Sequence, residues 1–413
     1  MSRVFVTGMG VVSSVGHGRE AFWDAIVQGR TGFSPIESFP TDGLDRSVAG
    51  EVKGFSPRDH LTSAEVRRTG RCSAFSLAAA RMAVEDAGLS AQQLGGERTS
   101  VIVGTTMGEA DVITELEDTW IRQGADAVDP AKIPLYGTTL LPIHLARAFG
   151  ARGMVQSLPA ACAAGNYAIA FAADLIRSGR ADVVITGASE LLQKHQFAGF
   201  VRLGAVAPER CQPFDKNRKG IIIGEGSGIM VLESEAHAVR REASPLAEIG
   251  GCGLACDAHH ITRPHPGGEG SLKAMREAIE RSGVTAADID FVSAHGTGTQ
   301  ANDKIESHVL HEVFGDRHVP VSSIKSMLGH CMGAASALEA IACVMTVQTG
   351  VYTPTVAYET PDPECDVNLV ANRAGSGRAE VVLNNSLAFG GYDAVVTLAR
   401  PGVLPPPPVA SAA

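Results

Sequence analysis

Ala160-Ala161-Cys162-Ala163-Ala164-Gly165-Asn166-Tyr167-Ala168-Ile169-Ala170-Phe171-Ala172-Ala173-Asp174-Leu175-Ile176 is small or apolar at nearly every position. A helix with that composition has no solvent face and belongs in an interior. A second stretch of the same kind runs from Gly333 to Val347. Each follows a turn carrying a reactive residue type, Cys162 in the first and His330 in the second. One such unit in each half of the chain points to a duplicated fold, although no literal repeat is visible.

Around these helices, short β-branched runs alternate with alanine-rich segments. Strands are expected at 3–7, 100–103, 183–186, 221–232, 291–294 and 381–384. Helices are expected at 19–27, 63–86, 162–177, 271–282 and 333–348. That alternation indicates an α/β architecture with helices packed on sheets. No linker separates the halves, and residues 401–413, rich in proline, read as a flexible tail.

The chain has 413 residues, 45% of them apolar and 19% charged, which is ordinary for a globular protein. A net charge of −10 argues against nucleic-acid binding, which needs a basic surface, but leaves room for a local basic patch facing an acidic partner. No uninterrupted apolar run is long enough to suggest a membrane span. The first residues, Val4-Phe5-Val6-Thr7-Gly8, read as a strand and not as a leader. With eight scattered cysteines taken as reduced thiols, the expected location is the cytoplasm.

Four segments carry chemistry. Cys162 stands at the start of a buried helix after Pro159, where backbone N–H groups and the helix dipole favour a thiolate and could hold an oxyanion. Ser293-Ala294-His295-Gly296-Thr297-Gly298-Thr299 ends an apolar run with a loop that lets backbone and hydroxyls approach a ligand. Lys325 precedes His330 by five residues, and Glu339 in the next apolar helix is a candidate partner for the lysine. Asn384-Asn385-Ser386-Leu387-Ala388-Phe389-Gly390-Gly391-Tyr392-Asp393 puts an aromatic on a turn suited to gating. Taken singly, each also reads blandly, as a core cysteine, a turn histidine, a surface lysine and a hairpin.

In this order the four segments resemble the elongating β-ketoacyl-acyl carrier protein synthases of the thiolase superfamily. The likeness extends along the chain through Val6-Thr7-Gly8-Met9-Gly10, Cys211-Gln212-Pro213-Phe214-Asp215 and Gly224-Glu225-Gly226-Ser227-Gly228. Synthases of the initiating kind carry asparagine where His330 stands. The resemblance implies a thiolase-like, duplicated five-layer αβαβα fold, with halves at 1–250 and 251–400, usually dimeric. It implies decarboxylative condensation of an acyl group on Cys162 with malonyl-acyl carrier protein. In that scheme His295 and His330 hydrogen-bond the extender thioester, and Lys325 positions His330. The backbone N–H groups of Cys162 and Phe389 form the oxyanion hole, and Phe389 is the gate. Thr297 and Thr299 hold the pantetheine arm, while Met107 and Phe200 line the acyl pocket. No cofactor is expected beyond the 4'-phosphopantetheine that arrives on the carrier.

The chain also departs from that pattern. Relatives continue Phe-Gly-Gly with Thr-Asn and precede it with Phe-Gly, whereas Tyr392-Asp393 and Leu387-Ala388 stand here. Glu109 and Asp111 lead to the expectation of an altered or more polar acyl chain, and so of polyketide or other secondary-metabolite synthesis. The partner is an acyl carrier protein, and the dimer is a homodimer or a heterodimer with a chain-length-factor-like subunit. A non-catalytic chain-length factor lacks the cysteine that is present here. A thiolase needs a second catalytic cysteine near the C-terminus, and the turn before Phe389 has none. Cys252-x-x-x-Cys256-x-x-His259-His260 has a superficial zinc spacing, set aside because that segment matches a loop at the pocket mouth in condensing enzymes.

Overall fold

A computed structural model describes residues 2–406. Ten strands carry one continuous hydrogen-bonded path. In chain order they are β1 (Val4–Ser13), β2 (Thr99–Gly104), β3 (Val155–Leu158), β4 (Val183–Glu190), β5 (Gly226–Ser234), β6 (Ala247–Cys256), β7 (Phe291–Ser293), β8 (Val321–Ser322), β9 (Val381–Ala388) and β10 (Tyr392–Ala399). The path runs β8-β7-β9-β10-β6-β1-β5-β4-β2-β3. Read outward from its centre, each half has the same order: first strand, fifth, fourth, second, third. The first strand pairs antiparallel with the fifth, the fifth antiparallel with the fourth, and the remainder are parallel in both halves. The halves meet at Phe5–Glu248 and Val6–Ala247.

The helices repeat the pattern. α1 (Arg71–Asp86) and α2 (Leu140–Phe149) cover the outer face of the first half. α3 (Ala164–Arg177) lies inside, against strands of both halves. α4 (Glu269–Arg281) and α5 (Gln300–Phe314) cover the outer face of the second half, and α6 (Ala335–Thr349) lies inside beside α3. The result is five layers, helix–sheet–helix–sheet–helix, as the all-apolar helices required. Residues 332–349 are long and apolar enough to cross a membrane, but they are 89% buried between the sheets.

Glycine and alanine set the spacing of the outer layers. A Cβ at Gly8 would lie 2.1 Å from the Ala83 carbonyl oxygen, and one at Gly10 would lie 1.9 Å from that of Ala79. In the second half, Gly251 and Gly253 stand in the same relation to Ala278 and Ala274, at 2.3 and 1.8 Å. Each first strand therefore carries Gly-x-Gly against two alanines four apart on its helix. This pairing explains why β6 escapes a propensity reading, since glycines normally mark turns.

Several expected boundaries move. The helix expected over 63–86 is two, Ser63–Val66 and α1, because Glu109 accepts the Cys72 and Ser73 N–H groups at 3.1 and 2.6 Å and leaves no room beside Gly70. The strand expected from Ile221 starts at Gly226. The division at 250/251 would cut β6, so we propose the boundary between halves in the turn from Arg241 to Leu246. The start of the proline-rich tail is anchored: Leu404 is buried, its carbonyl accepts from Arg3 at 2.9 Å, and Gly402 donates to Glu248 at 3.3 Å. Residues 407–413 lie outside the described residues.

The inner helices cross at Gly165, where a Cβ would come within 2.5 Å of the Ala337 nitrogen. Gly165→Val is expected to lower unfolding stability by about 3 kcal/mol. Gly199→Ala, in a helix with open space around it, is expected to be neutral within about 0.5 kcal/mol or stabilising. Urea unfolding of both variants checks the contrast.

Candidate active site

Both inner helices begin with the same strained elbow. Ala161 has φ +46° and Met332 has φ +45°, each followed by a 3-10 turn that leads into α3 or α6. Left-handed backbone at non-glycine residues stores strain and persists where surrounding structure enforces it. In the first half the residue after the elbow is Cys162. In the second it is Gly333, where a Cβ would fall 2.7 Å from Glu190 Oε2 and 2.8 Å from the Thr106 nitrogen. The duplication thus offers two equivalent positions, and one of them bears a nucleophile.

Cys162, His295 and His330 line a single cavity of about 500 Å³, together with Phe200, Thr297, Thr299 and Phe389. The two imidazole rings meet edge-to-face with centroids 5.4 Å apart. Both Nδ1 atoms are buried and lack a partner. A proton on Nδ1 would have no acceptor, so the neutral tautomer carries it on Nε2, the nitrogen open to the cavity. Burial, then Lys325, then His330 hold His295 well below the usual histidine range. Burial and Lys325 do the same to His330.

Lys325 is buried and ion-paired through Nζ with Glu339 Oε1 on α6, while Glu339 Oε2 has no partner. Burial pushes the Glu339 carboxyl up and the Lys325 ammonium pulls it down. A buried ammonium needs a partner, and the Glu339 carboxylate supplies one beside the histidines.

The expected lowering of the Cys162 thiol does not prevail. Burial pushes it up to about 12, against the opposing pull of Lys325 and of the Phe389 and Cys162 backbone N–H groups. The resting sulfur is therefore a thiol. Those two N–H groups sit at the sulfur, where an acyl carbonyl oxygen would develop charge.

The loop bearing His295 is held by two carboxylates that sequence reasoning missed. Glu306 accepts the His295 and Gly296 N–H groups at 2.6 and 2.7 Å. Asp303 accepts from Thr297, Gly298 and Phe214 at 3.1, 3.1 and 2.8 Å. Asn385 donates to Glu306 at 2.7 Å, which ties β9 to the same loop. An acid at each of two positions three apart in the first turns of α5, directly after the glycine-rich loop, was the available signal. Thr297 and Thr299 hydroxyls lie 2.9 Å apart.

Phe389 is 37% exposed and stacks on Phe200 with centroids 5.6 Å apart. Met107, expected in the pocket, is not among the residues that line this cavity. Its N–H is held by Glu190 at 3.1 Å, in the turn behind the elbow. Glu109 is likewise no pocket residue: it caps α1 and is fully buried, with a carboxyl pushed up to about 7 by burial. Its polarity carries no information about the acyl chain. Cys252 is buried and Cys256 exposed, and among the described residues no cluster of three or more ligating side chains could hold a metal.

The chain belongs to the β-ketoacyl synthase family: residues 1–238 match its N-terminal domain and residues 246–359 its C-terminal domain. It is 37% identical to nodulation protein E of Rhizobium meliloti, over 95% of this chain and 98% of that protein. It is 34% identical to 3-oxoacyl-acyl-carrier-protein synthase 2 of Staphylococcus aureus, over 96% and 98%. Among solved structures, the ishigamide ketosynthase/chain length factor superposes with a TM-score of 0.94 at 41% identity, covering 97% of this chain and 100% of that one.

Removing the cation should be visible directly at the histidines. In Lys325→Met the titrations of His295 and His330 are expected to move upward, because the one cation among the causes that lower them is gone. Histidine NMR titration measures it. The sign for stability follows: each folded-state value lies below the unfolded one, so stability is complete above about pH 6.5 and falls as pH drops below it.

Proposed function

Starting from membership of the β-ketoacyl synthases, we propose that this enzyme condenses an acyl group held on Cys162 with malonyl-acyl carrier protein. In the first step the Cys162 sulfur attacks a carrier thioester, the acyl carbon–sulfur bond to pantetheine breaks, and the thiol proton ends on the departing pantetheine sulfur. In the second step the malonyl unit loses carbon dioxide, and its α-carbon attacks the acyl-cysteine. The new carbon–carbon bond forms, the cysteine–acyl bond breaks, and the freed sulfur takes up a proton. A neutral pair of imidazoles supports this reading best: two Nε2–H donors facing one cavity beside a thiol can hold the enolate oxygen formed on decarboxylation.

The other roles follow from position. Lys325 holds both histidines neutral and orients the segment that bears His330. The Cys162 and Phe389 N–H groups receive the tetrahedral oxyanion. Thr297 and Thr299 offer hydroxyls to the pantetheine arm from the cavity lining. Phe389 against Phe200 closes the acyl side between the two steps. The chemistry draws on thiol, imidazole and backbone N–H groups, so no resident cofactor is assigned. Arg263 and Lys219, exposed at the mouth of an acidic protein, suit an acidic carrier. The working place is the cytoplasm.

The pathway reading is polyketide or related secondary metabolism, with a partner resembling a chain-length factor. Its support is the 41% identity to the ishigamide complex, together with likeness at 30% identity and a TM-score of 0.89 to a type II polyketide ketosynthase solved with its acyl carrier protein. Trp120, Ile121, Ile133 and Tyr136 are exposed on one segment and offer an apolar face for such a partner or for a second copy.

Intact-protein mass spectrometry after incubation with carrier proteins bearing different acyl chains tests this. Wild type is expected to gain the acyl mass and Cys162→Ala none. Absence of any adduct, with and without a co-expressed partner subunit, would sink the reading.

A further inference from the structure

The gating turn is bordered by two carboxylates with no cation between them. Asp393 is the second residue of β10, two residues after Gly391, is 2% exposed, and has a buried Oδ2 without a partner. Asp257 follows β6, and its backbone N–H donates to the Gly391 carbonyl at 2.8 Å. Its side chain accepts from the His265 N–H at 2.8 Å and the Gly270 N–H at 3.3 Å. Both acids converge on Gly270 in the first turn of α4: a Cβ there would lie 2.2 Å from Asp393 Oδ2 and 2.6 Å from Asp257 Oδ1. A Cβ on Gly391 would lie 2.8 Å from the Asp257 Cβ.

Two carboxylate oxygens aimed at one buried point repel unless one of them is protonated. The start of α4 stabilises a single negative charge there through its N–H groups. The other titratable groups facing the pair are Tyr167 on α3, which donates to the Ala255 carbonyl at 3.2 Å, Tyr392 and Cys256 on the strands, and His265 and Glu269 at the head of α4. His265 is engaged with Glu269 at 4.0 Å and stacks edge-on with His259. None of these supplies a buried cation to Asp393, whose carboxyl is raised to about 8 by burial and then by Asp257.

We propose that Asp393 keeps its proton and donates an O–H···O bond to the Asp257 carboxylate, and that this bridge clamps the Phe389 turn against the loop at the cavity mouth. Asp393 is then a positioning residue that acts through Phe389. The clamped loop includes Thr262, Arg263 and Pro264 of the cavity lining, and Ile261 accepts the Gly390 N–H at 2.8 Å. When the Asp393 proton leaves, two carboxylates face each other across Gly270. The Asp257–Gly391 contact loosens, and Phe389 is free to swing from Phe200. The clamp rests on the reading of Phe389 as the gate over Cys162.

The test compares wild type with Asp393→Asn, which keeps shape and donor but cannot titrate. Alkylation of Cys162 by iodoacetamide is followed from about pH 6 to about pH 9, and the ratio of the two rates removes the thiol's own titration. The ratio is expected to rise in a step as Asp393 ionises. Infrared spectra should show a protonated-carboxyl band in wild type that titrates with the same midpoint and is missing from Asp393→Asn. A flat ratio, or the same band in the variant, overturns the proposal. If Asp393→Asn fails to fold, Asp257→Asn must abolish the step and leave the Asp393 band, which burial still sustains, at a lower midpoint. The outcomes separate from the parent reading: a titrating band with no acylation of Cys162 removes the condensing function and keeps the Asp393 proton, while acylation without the band does the reverse.

Discussion

The arrangement depends on two apolar helices crossing inside the protein at the smallest residues available. Gly165 admits the backbone of the other helix, the Asn166 backbone N–H donates to Ser336 Oγ at 3.1 Å, and Asn384 then donates to both the Asn166 side chain and the Ser336 carbonyl at 2.8 Å. Because the helices are equivalent in the duplicated fold, their N-termini come together with related geometry. The elbow of one presents Cys162, and the segment leading into the other presents His330. The third participant, His295, arrives from the end of a parallel strand in the second half, the usual place for function in an open α/β sheet. A site that needs a nucleophile from one half and donors from the other therefore exists only when the helix crossing is correct.

That burial has an electrostatic consequence. Enclosing the site raises the thiol and lowers both histidines, and for the histidines this is the useful direction. An imidazole that stays neutral can donate from Nε2 without carrying a charge that would over-stabilise the bound carboxylate of an extender. Lys325 reinforces this state, and its pairing with Glu339 compensates the cost of burying an ammonium group. The same four groups would behave differently at a surface, where solvent would screen the lysine and leave the histidines near their ordinary range.

Much of this was legible in the sequence, and for identifiable reasons. The inner helices announced themselves because a helix apolar on all sides has one place to go. Cys162 was visible as a thiol at the head of a buried helix, and His295, Lys325 and His330 as reactive types near glycine turns. What escaped notice was carried by small or reused residues. Gly251 and Gly253 look like turn formers, yet they lie inside a strand because α4 packs on top of them. Glu306 and Asp303 look like solvated helix charges until the loop they hold is folded over them. Glu109 looked like a polar pocket wall and proved to be a helix cap, since a fully buried acid needs N–H partners and the start of α1 supplies two.

The departure at 392–393 shows how far one substitution can reach in such a packed setting. An amide at position 393 would satisfy Asp257 at any pH, and the turn would then be held by a permanent donor. A carboxyl gives the same bond only while it keeps a proton, so the tightness of the turn becomes a function of proton activity. Tyr392, packed edge-on against Tyr167 with centroids 5.8 Å apart, supplies an apolar contact on the other side of the strand that does not titrate. The strand after the gate is thus fixed by one contact indifferent to pH and one sensitive to it. Motion of Phe389 can then vary without loosening β10, whose remaining pairs with β9 and β6 continue to Ala399.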